Sequence, residues 1–234
     1  MAAVTRVLQI ACADADPNPV VQGVKAFPVA KLILLYEERS NHASQEILER
    51  LLPLKVEVDR RVIQEPPLTG VLAAMSHIVK EEALDYDDVI VNVSSSDKML
   101  YCSLLSGAFV NGLHAIAIQD GEPQQLPVLK FAYSEMISES KMAILRALER
   151  AGGAVDSLNT LSEMSAVEKS LLSYHIRGGR DAKGLEELKL VSIERAKQGR
   201  LMVQLTEMGR LILIGNQPAP ARGAKSAVTS PAAR

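Results

Sequence analysis

The sequence predicts an α/β chain with a central parallel sheet, followed by a smaller unit of helices and a β-hairpin. Three observations carry that expectation. Short apolar runs without alternation (Val7–Ala11, Lys31–Tyr36, Asp88–Val93, Leu113–Gln119) are separated by segments of helical periodicity. Strands buried on both faces read this way, and they need helices above and below them. From Lys141 onward the pattern changes to short helices closed by glycine pairs, and two alternating stretches then flank Lys197-Gln-Gly-Arg200, the pattern of paired strands about a tight turn.

Each element follows in order. Val7–Ala11 is the first strand, ended by Asp14-Ala-Asp-Pro-Asn-Pro19. Val20–Phe27 reads as a helix, Lys31–Tyr36 as a buried strand and Ser44–Leu52 as a helix. Lys55–Ile63 alternates, with Val56 and Val58 on one side and Glu57 and Asp59 on the other, as in a strand with one wet face. Pro66-Pro67 breaks the chain before a longer helix, Leu68–Glu82; Asp88–Val93 is a strand, Asp97–Val110 a helix and Leu113–Gln119 a strand. Residues 1–119 therefore read as a Rossmann-like domain, whose strand order the sequence leaves open. Asp120-Gly-Glu-Pro123 is a turn within a linker, residues 120–137, where Leu126–Tyr133 is a last strand or an extended link.

Lys141–Ala151 is a helix stopped by Gly152-Gly153, and Asp156 or Ser157 caps a short helix through Glu163. Ser165 with Glu168 forms a capping box for a helix running to Arg177 and closed by Gly178-Gly179. Leu185–Leu188 is apolar at helical spacing, and Leu190–Ala196 and Leu201–Thr206 make the hairpin. Helices followed by a hairpin over residues 138–215 spell a winged helix-turn-helix. Residues 216–234, rich in Ala, Pro and small polar residues, read as a disordered tail.

Composition narrows the function classes. The 234 residues are 47% apolar and 23% charged, ordinary for a globular protein. No apolar run is long enough to cross a bilayer, and the start lacks the apolar core of a secretory signal, so a cytoplasmic protein with no membrane partner is expected. Cys12 and Cys102 have neither metal spacing nor a disulfide framework, and Cys102 falls on an apolar helix side as a buried thiol. His42, His77 and His114 are scattered, and no Walker loop, Gly-x-Ser-x-Gly or Gly-x-Gly-x-x-Gly occurs. The expectation is no metal, no cofactor and no catalytic residue. Acid pairs such as Glu37-Glu38 and Asp87-Asp88 read as solvated surface. Residues 1–135 hold 11 Lys/Arg against 18 Asp/Glu, a net of −7, whereas residues 136–234 hold 15 against 10, a net of +5. A basic C-terminal half fits contact with a polyanion.

Two segments carry chemistry. Asp88–Val93 is a buried strand that runs into Ser94-Ser-Ser-Asp-Lys98, just where a helix opens. The carboxyl end of a strand facing a helix N-terminus collects backbone N–H groups that receive anions. Ser94, Ser95 and Ser96 add hydroxyls, Lys98 adds a cation, and Asn92 holds the loop or contacts a base. The plainer alternative is a loop in which Ser96 or Asp97 caps the helix. In the second segment, a helix from Ala166 to Arg177 puts Ala166, Ser170, Ser173, Tyr174 and Arg177 on one side and Leu171, Leu172, His175 and Ile176 on the other. Hydroxyls and an arginine on an exposed face suit double-stranded DNA, and Arg195, Lys197 and Arg200 sit where a wing would touch its backbone. The alternative is a solvated face.

At these residues the chain resembles a family. Asn92-Val-Ser-Ser-Ser-Asp-Lys-Met-Leu100 is similar to the Asn-x-Ser/Thr-Gly-Gly-Thr-Lys/Arg-x-Met/Leu motif of CRISPR-associated Rossmann-fold (CARF) domains. Leu171–Gly178 and Gly184–Leu190 resemble the winged-helix part of archaeal CARF regulators. The resemblance spans about residues 5–214. It implies a homodimeric transcriptional regulator of CRISPR antiviral defence. Its cyclic oligoadenylate pocket would be lined by the Ala13–Asn18 loop (Ala13, Asp14, Asn18) and by Ser94–Lys98. Where the family has a glycine pair and a threonine, this chain has Ser95, Ser96 and Asp97, so phosphate meets a bulkier, more acidic loop. A ring nuclease that cuts a cyclic oligonucleotide, with the winged helix used for dimerisation, is the alternative; no general base stands out for it.

Overall fold

The computed structural model describes residues 5–126, 137–179, 182–195 and 201–216. The extended link at 127–133, Lys197 and Arg200 of the expected wing, and the tail beyond Asn216 lie outside the described residues, as does the Arg195 side chain.

The first part alternates strand and helix: β1 (Val7–Cys12), α1 (Asn18–Ala26), β2 (Val29–Tyr36), α2 (Asn41–Leu51), β3 (Glu57–Val62), α3 (Pro67–Glu81), β4 (Asp88–Asn92), α4 (Lys98–Asn111), β5 (His114–Gln119) and β6 (Glu122–Leu126). The sheet order is β3-β2-β1-β4-β5-β6. The first five strands are parallel, and β6 returns antiparallel to β5. Leu8, Ile10, Cys12, Ile33, Leu35, Val89 and Val91 pack against α3 and α4 through Val71, Met75, Ile78, Leu100, Leu104 and Ala108. Val7, Ala11, Leu32, Leu34 and Ile90 pack the other face against α1 and α2 through Val20, Val24, Ile47 and Leu51. Full burial of side chains such as Leu8, Ile10, Leu32 and Leu35 contributes about 1.5–3 kcal/mol each. Strand β3 is one edge, and its charges keep it from pairing further: Lys31 of the neighbouring strand bridges Glu57 and, at 2.9 Å, Glu82, while Arg61 bridges Asp59 and Glu82.

The turn at Asp120-Gly121 differs from the expectation of a linker. Both residues have left-handed φ, 52° and 86°, which matches the twist of a two-residue hairpin. The chain therefore folds straight back, and Glu122 and Pro123 are paired strand residues.

A second apolar cluster holds the remaining elements: α5 (Glu139–Arg150), β7 (Ala154–Val155), α6 (Leu158–Ser165), α7 (Lys169–Arg177), β8 (Val191–Arg195), β9 (Leu201–Leu205) and α8 (Glu207–Gly215). Ile144, Leu145, Leu148, Leu161, Leu172, Ile176, Leu185, Val203 and Ile212 make its centre. The strands form an antiparallel sheet in the order β7-β9-β8. Helix α8 packs on α5 and also on α3 and α4 of the first part.

Four local readings are corrected. Ser165 does not cap α7. It ends α6, its hydroxyl donates to the Leu161 carbonyl at 2.6 Å, and Ala166 then turns left-handed at φ 55°. Helix α7 accordingly starts at Lys169, behind Glu168. Leu185–Leu188 is a turn: the Leu185 and Glu186 amides donate to the His175 and Ile176 carbonyls at 2.9 Å, completing the end of α7 from outside. Leu171 is 49% exposed rather than inward. The buried thiol is Cys12, whose pKa burial pushes up, and Cys102 is exposed.

Gln9 is the one discordant residue in the middle of β1. It has no exposed surface, lies beside Gly23 of α1, and neither its amide oxygen nor its nitrogen has a partner among the described residues. Gln9→Met keeps the length and removes two unsatisfied polar atoms. It is expected to stabilise the protein by about 1–3 kcal/mol in urea unfolding; a variant less stable than the parent would show that the amide is needed.

Candidate functional site

Strand order reverses direction at β1. The chain leaves β1 for β2 on one side and returns to β4 on the other, so the loops after β1 and β4 part and leave a crevice at the carboxyl edge of the sheet. Open α/β sheets bind ligands at this position.

The loop after β4 is built from its own strand. Asn92 is fully buried; its amide nitrogen donates to the Pro19 carbonyl at 2.9 Å and its oxygen accepts the Ser94 amide at 3.1 Å. The Ser94 hydroxyl accepts the Ile118 amide at 2.6 Å, fastening the loop to β5. Asp97 caps α4, one carboxylate oxygen accepting the Met99 and Leu100 amides at 2.8 and 3.1 Å. Lys98, the first residue of α4, is exposed.

Between these fixed points the remaining donors converge on one atom. The Ser95 hydroxyl (2.8 Å), the Ser96 amide (2.5 Å) and hydroxyl (2.6 Å), and the Asp97 amide (2.9 Å) all donate to a single carboxylate oxygen of Asp14. The other oxygen of Asp14 accepts the Ala15 amide at 2.6 Å. Burial by itself would raise the Asp14 pKa; the Ser96, Ala15, Asp97 and Ser95 bonds outweigh it and hold the carboxyl well below the usual carboxylate range.

The two loops expected to line one pocket therefore meet, with differences in detail. Asp14, Ser95 and Ser96 are in direct contact. Ala13 is fully buried, with its amide given to the Leu35 carbonyl at 2.7 Å, so it supports the loop from the core and does not line a pocket. Asn18 is exposed and engaged with Asp16 and, at 2.9 Å, with Arg50. Asn92 and Ser94 are spent on holding the loop.

Sequence reasoning missed the neighbour of this loop. Glu37, at the end of β2, is only 3% exposed rather than solvated. It pairs with Arg39 at 2.6 Å, and Arg39 also reaches Asp97 at 3.3 Å. A cavity of about 460 Å³ opens here, lined by Asp14, Glu37, Arg39, His42, Glu46 and Asp97 among others. Its acids outnumber its cations. The signal was available, because Glu37 directly follows a buried strand at the same sheet edge as Asp14.

On the second unit, Ser170, Ser173, Tyr174 and Arg177 are all exposed on α7, and Leu172 and Ile176 face the core. His175 is half-buried; burial, and then the Lys141 charge, pull its pKa down, and its Nδ1 has no partner among the described residues. A polar hollow lined by Asp156, Ser157, Asn159, Thr160, Lys169 and Leu201 sits beside the start of β9. Lys169, Asn159 and Thr160 were not singled out from sequence. Among the described residues no group of His, Cys, Asp and Glu is placed to hold a metal ion, and no helix is long and apolar enough to cross a membrane.

No family model matches the chain. An uncharacterised protein of Archaeoglobus fulgidus is 25% identical over 209 residues, covering 84% of this chain and 92% of that one. Two solved structures are similar at low identity. Can2 from Sulfobacillus thermosulfidooxidans, solved in complex with cyclic tetra-adenylate, superposes with a TM-score of 0.43 at 14% identity. The protein VC1899 from Vibrio cholerae gives 0.44 at 12%. Each match covers 89% of this chain, which spans 63% and 64% of those two chains respectively.

Asp14 makes the site testable by pH. Its folded-state pKa lies below the unfolded value of about 3.9, so the ionised group adds stability at neutral pH, and that contribution is lost as pH falls below about 4. Asp14→Asn is expected to cost about 1–3 kcal/mol at neutral pH, and the gap to the parent should narrow in urea melts taken in acid. A gap of constant size would mean that charge is not what joins the loops.

Proposed function

We propose that this protein is a homodimeric, ligand-responsive DNA-binding regulator, with the sheet domain sensing a cyclic oligoadenylate or related nucleotide and the second domain, a winged helix-turn-helix, contacting double-stranded DNA. The observation that carries the reading is the convergence of four donors of Ser95, Ser96 and Asp97 on one Asp14 oxygen. A loop that solvates a carboxylate this fully is an anion receptor. In the free protein the receptor is filled by Asp14, and a ligand phosphodiester takes that place when it binds. The acidic surroundings oppose a phosphate until Asp14 swings out, so the swing is the step that couples binding to shape.

The outer face of α4 supports a dimer. Met99 (53% exposed), Cys102 and Phe109 (39%) lie within one strip of the helix, an apolar stripe with no cover among the described residues. Helix α4 begins at the ligand loop, so a two-fold axis along this stripe brings two receptors together over one cyclic molecule. On the DNA side, α7 presents Ser170, Ser173, Tyr174 and Arg177 to a groove, and Lys169 with Thr160 reaches the backbone. The link to CRISPR defence rests on the motif resemblance of Asn92–Leu100.

Calorimetry with cyclic tetra- and hexa-adenylate tests the sensor. One ligand per two chains is expected, and Asp14→Ala should bind about tenfold more tightly while melting lower. No heat with either ligand, in either protein, would remove the nucleotide from the reading. Linear product in the same samples would make the domain a nuclease.

Mobility shifts with promoter DNA test the other half. Arg177→Ala should weaken specific binding by about 1–3 kcal/mol if it reads a guanine, whereas Lys169→Ala should weaken all sequences alike and flatten the salt dependence. Failure of the full chain to shift any duplex at low salt would refute DNA binding.

A further inference from the structure

Arg39 follows β2 and lines the same cavity as Asp14 and Asp97. Among the described residues it is the one Lys or Arg in those walls. Lys98, the cation expected from sequence, is not part of them.

Arg39 is held unevenly. On one side stands Glu37, whose side chain is 3% exposed. One Glu37 oxygen accepts Nε of Arg39 at 2.7 Å and one Nη at 2.6 Å. A buried carboxylate gives up its counter-charge only at high cost, so this half is fixed. On the other side is Asp97, 31% exposed, with an oxygen 3.3 Å from the same Nη. A long, partly wet ion pair contributes little. The second Nη has no acceptor among the described residues, and the Arg39 side chain is 62% exposed, so a ligand can reach it.

Asp97 joins this guanidinium to the anion receptor. Its side chain touches Arg39, while its amide donates to Asp14 at 2.9 Å. A phosphodiester in the place of Asp14 therefore lies against a residue already in contact with Arg39. It brings a third anion to a guanidinium that serves two, and the weaker of those two gives way. Guanidinium suits the newcomer, because its planar fork offers paired N–H groups to phosphate oxygens.

We propose that Arg39 is the cation of the ligand site and the element that registers a bound ligand. Its guanidinium stays on Glu37 and exchanges Asp97 for a phosphodiester oxygen. The exchange releases the start of α4 from the end of β2, which gives binding a direct route to shape. Arg39 has this role only if the sheet domain senses a nucleotide, as proposed above.

Calorimetry of the full chain with cyclic tetra- and hexa-adenylate tests the exchange. Arg39→Gln should bind about tenfold more weakly than the parent. That variant leaves the buried Glu37 carboxylate unpaired, so a Glu37→Gln, Arg39→Gln double variant is measured beside it. The double variant removes the unpaired charge and keeps the net charge of the parent, and it should lose about as much affinity. Asp97→Asn still caps α4 but competes less for Arg39. It should tighten binding in the parent, and do so less in the Arg39→Gln background. Parent-like affinity in the double variant would overturn the proposal and leave the sensor reading standing. An equal gain from Asp97→Asn in both backgrounds would mean that plain charge repulsion is at work, and would overturn the exchange. Absence of heat with the parent would remove the sensor reading and the role of Arg39 with it.

Discussion

Strand β1 has no wet side. Every residue from Val7 to Cys12 is buried, so the strand can sit only in the middle of a sheet with helices above and below. Placing it there makes it the point where the winding reverses, with β2 on one flank and β4 on the other. The loops that leave β1 and β4 then run to opposite sides, and the crevice between them is a geometric consequence. Asp14 is the second residue beyond β1, and Ser95 and Ser96 lie just beyond β4. Strand order sets them on the two lips of that crevice, and hydrogen bonds to Asp14 close the distance between them.

What joins them is a balance of two electrostatic effects. Removing the Asp14 carboxylate from water is unfavourable, and a bare loop of N–H and O–H groups at the start of α4 is unfavourable too. Each satisfies the other. The plain view of Ser94–Lys98 as a capped loop and the view of it as an anion receptor turn out to be compatible, because separate atoms serve them. Asp97 caps α4 with its side chain while its own amide points at Asp14. The polar residues that replace a glycine pair in the resembled motif supply hydroxyl donors here. That gain has a cost in room, since Ser95 and Ser96 side chains stand where a phosphate would otherwise approach bare backbone.

Much of this was legible because burial on both faces leaves an unambiguous mark. Apolar runs such as Leu32–Leu35 and Val89–Val91 locate strands to within a few residues, and glycine pairs locate the ends of α5 and α7. Strand β6 was missed because Glu122–Leu126 has almost no apolar content; only Asp120-Gly121 announced a hairpin. Helix α8 was missed because Glu207–Gly215 is short and has a glycine, Gly209, in its first turn, where the Leu190 carbonyl leaves no room for a Cβ. Ser165 and Glu168 have the spacing of a capping box, and what defeats it is the left-handed turn at Ala166, which sequence does not show for an alanine. In the site, the loop chemistry was readable, but the bond from Asp14 to residues more than 80 positions away was not. Local pattern carries no tertiary pairing, and an acid among loop residues reads as solvated until the fold brings donors to it. Glu37, by contrast, was within reach of the sequence, because it directly follows the buried run Lys31–Tyr36.

Helix α4 extends this local chemistry to the rest of the chain. Its first turn is held by Asp97, whose other carboxylate oxygen is tied to Arg39, and its body is apolar on nearly every side. Its last turn places Val110 against Gly215 of α8, where a Cβ would stand 2.8 Å from the valine methyl. A helix packed this closely moves as a rod. Displacing Asp14 changes the bond partners of Ser95, Ser96 and the Asp97 amide, all within one turn of the α4 start. The far end of α4 packs on α8, which packs also on α3 and α5. The crevice beside Asp14 and helix α8 thus lie at the two ends of α4. An anion in the crevice acts on α8 only to the extent that it favours one placement of α4. Since coupling is reciprocal, contacts that fix α8 would bias the crevice by the same free energy.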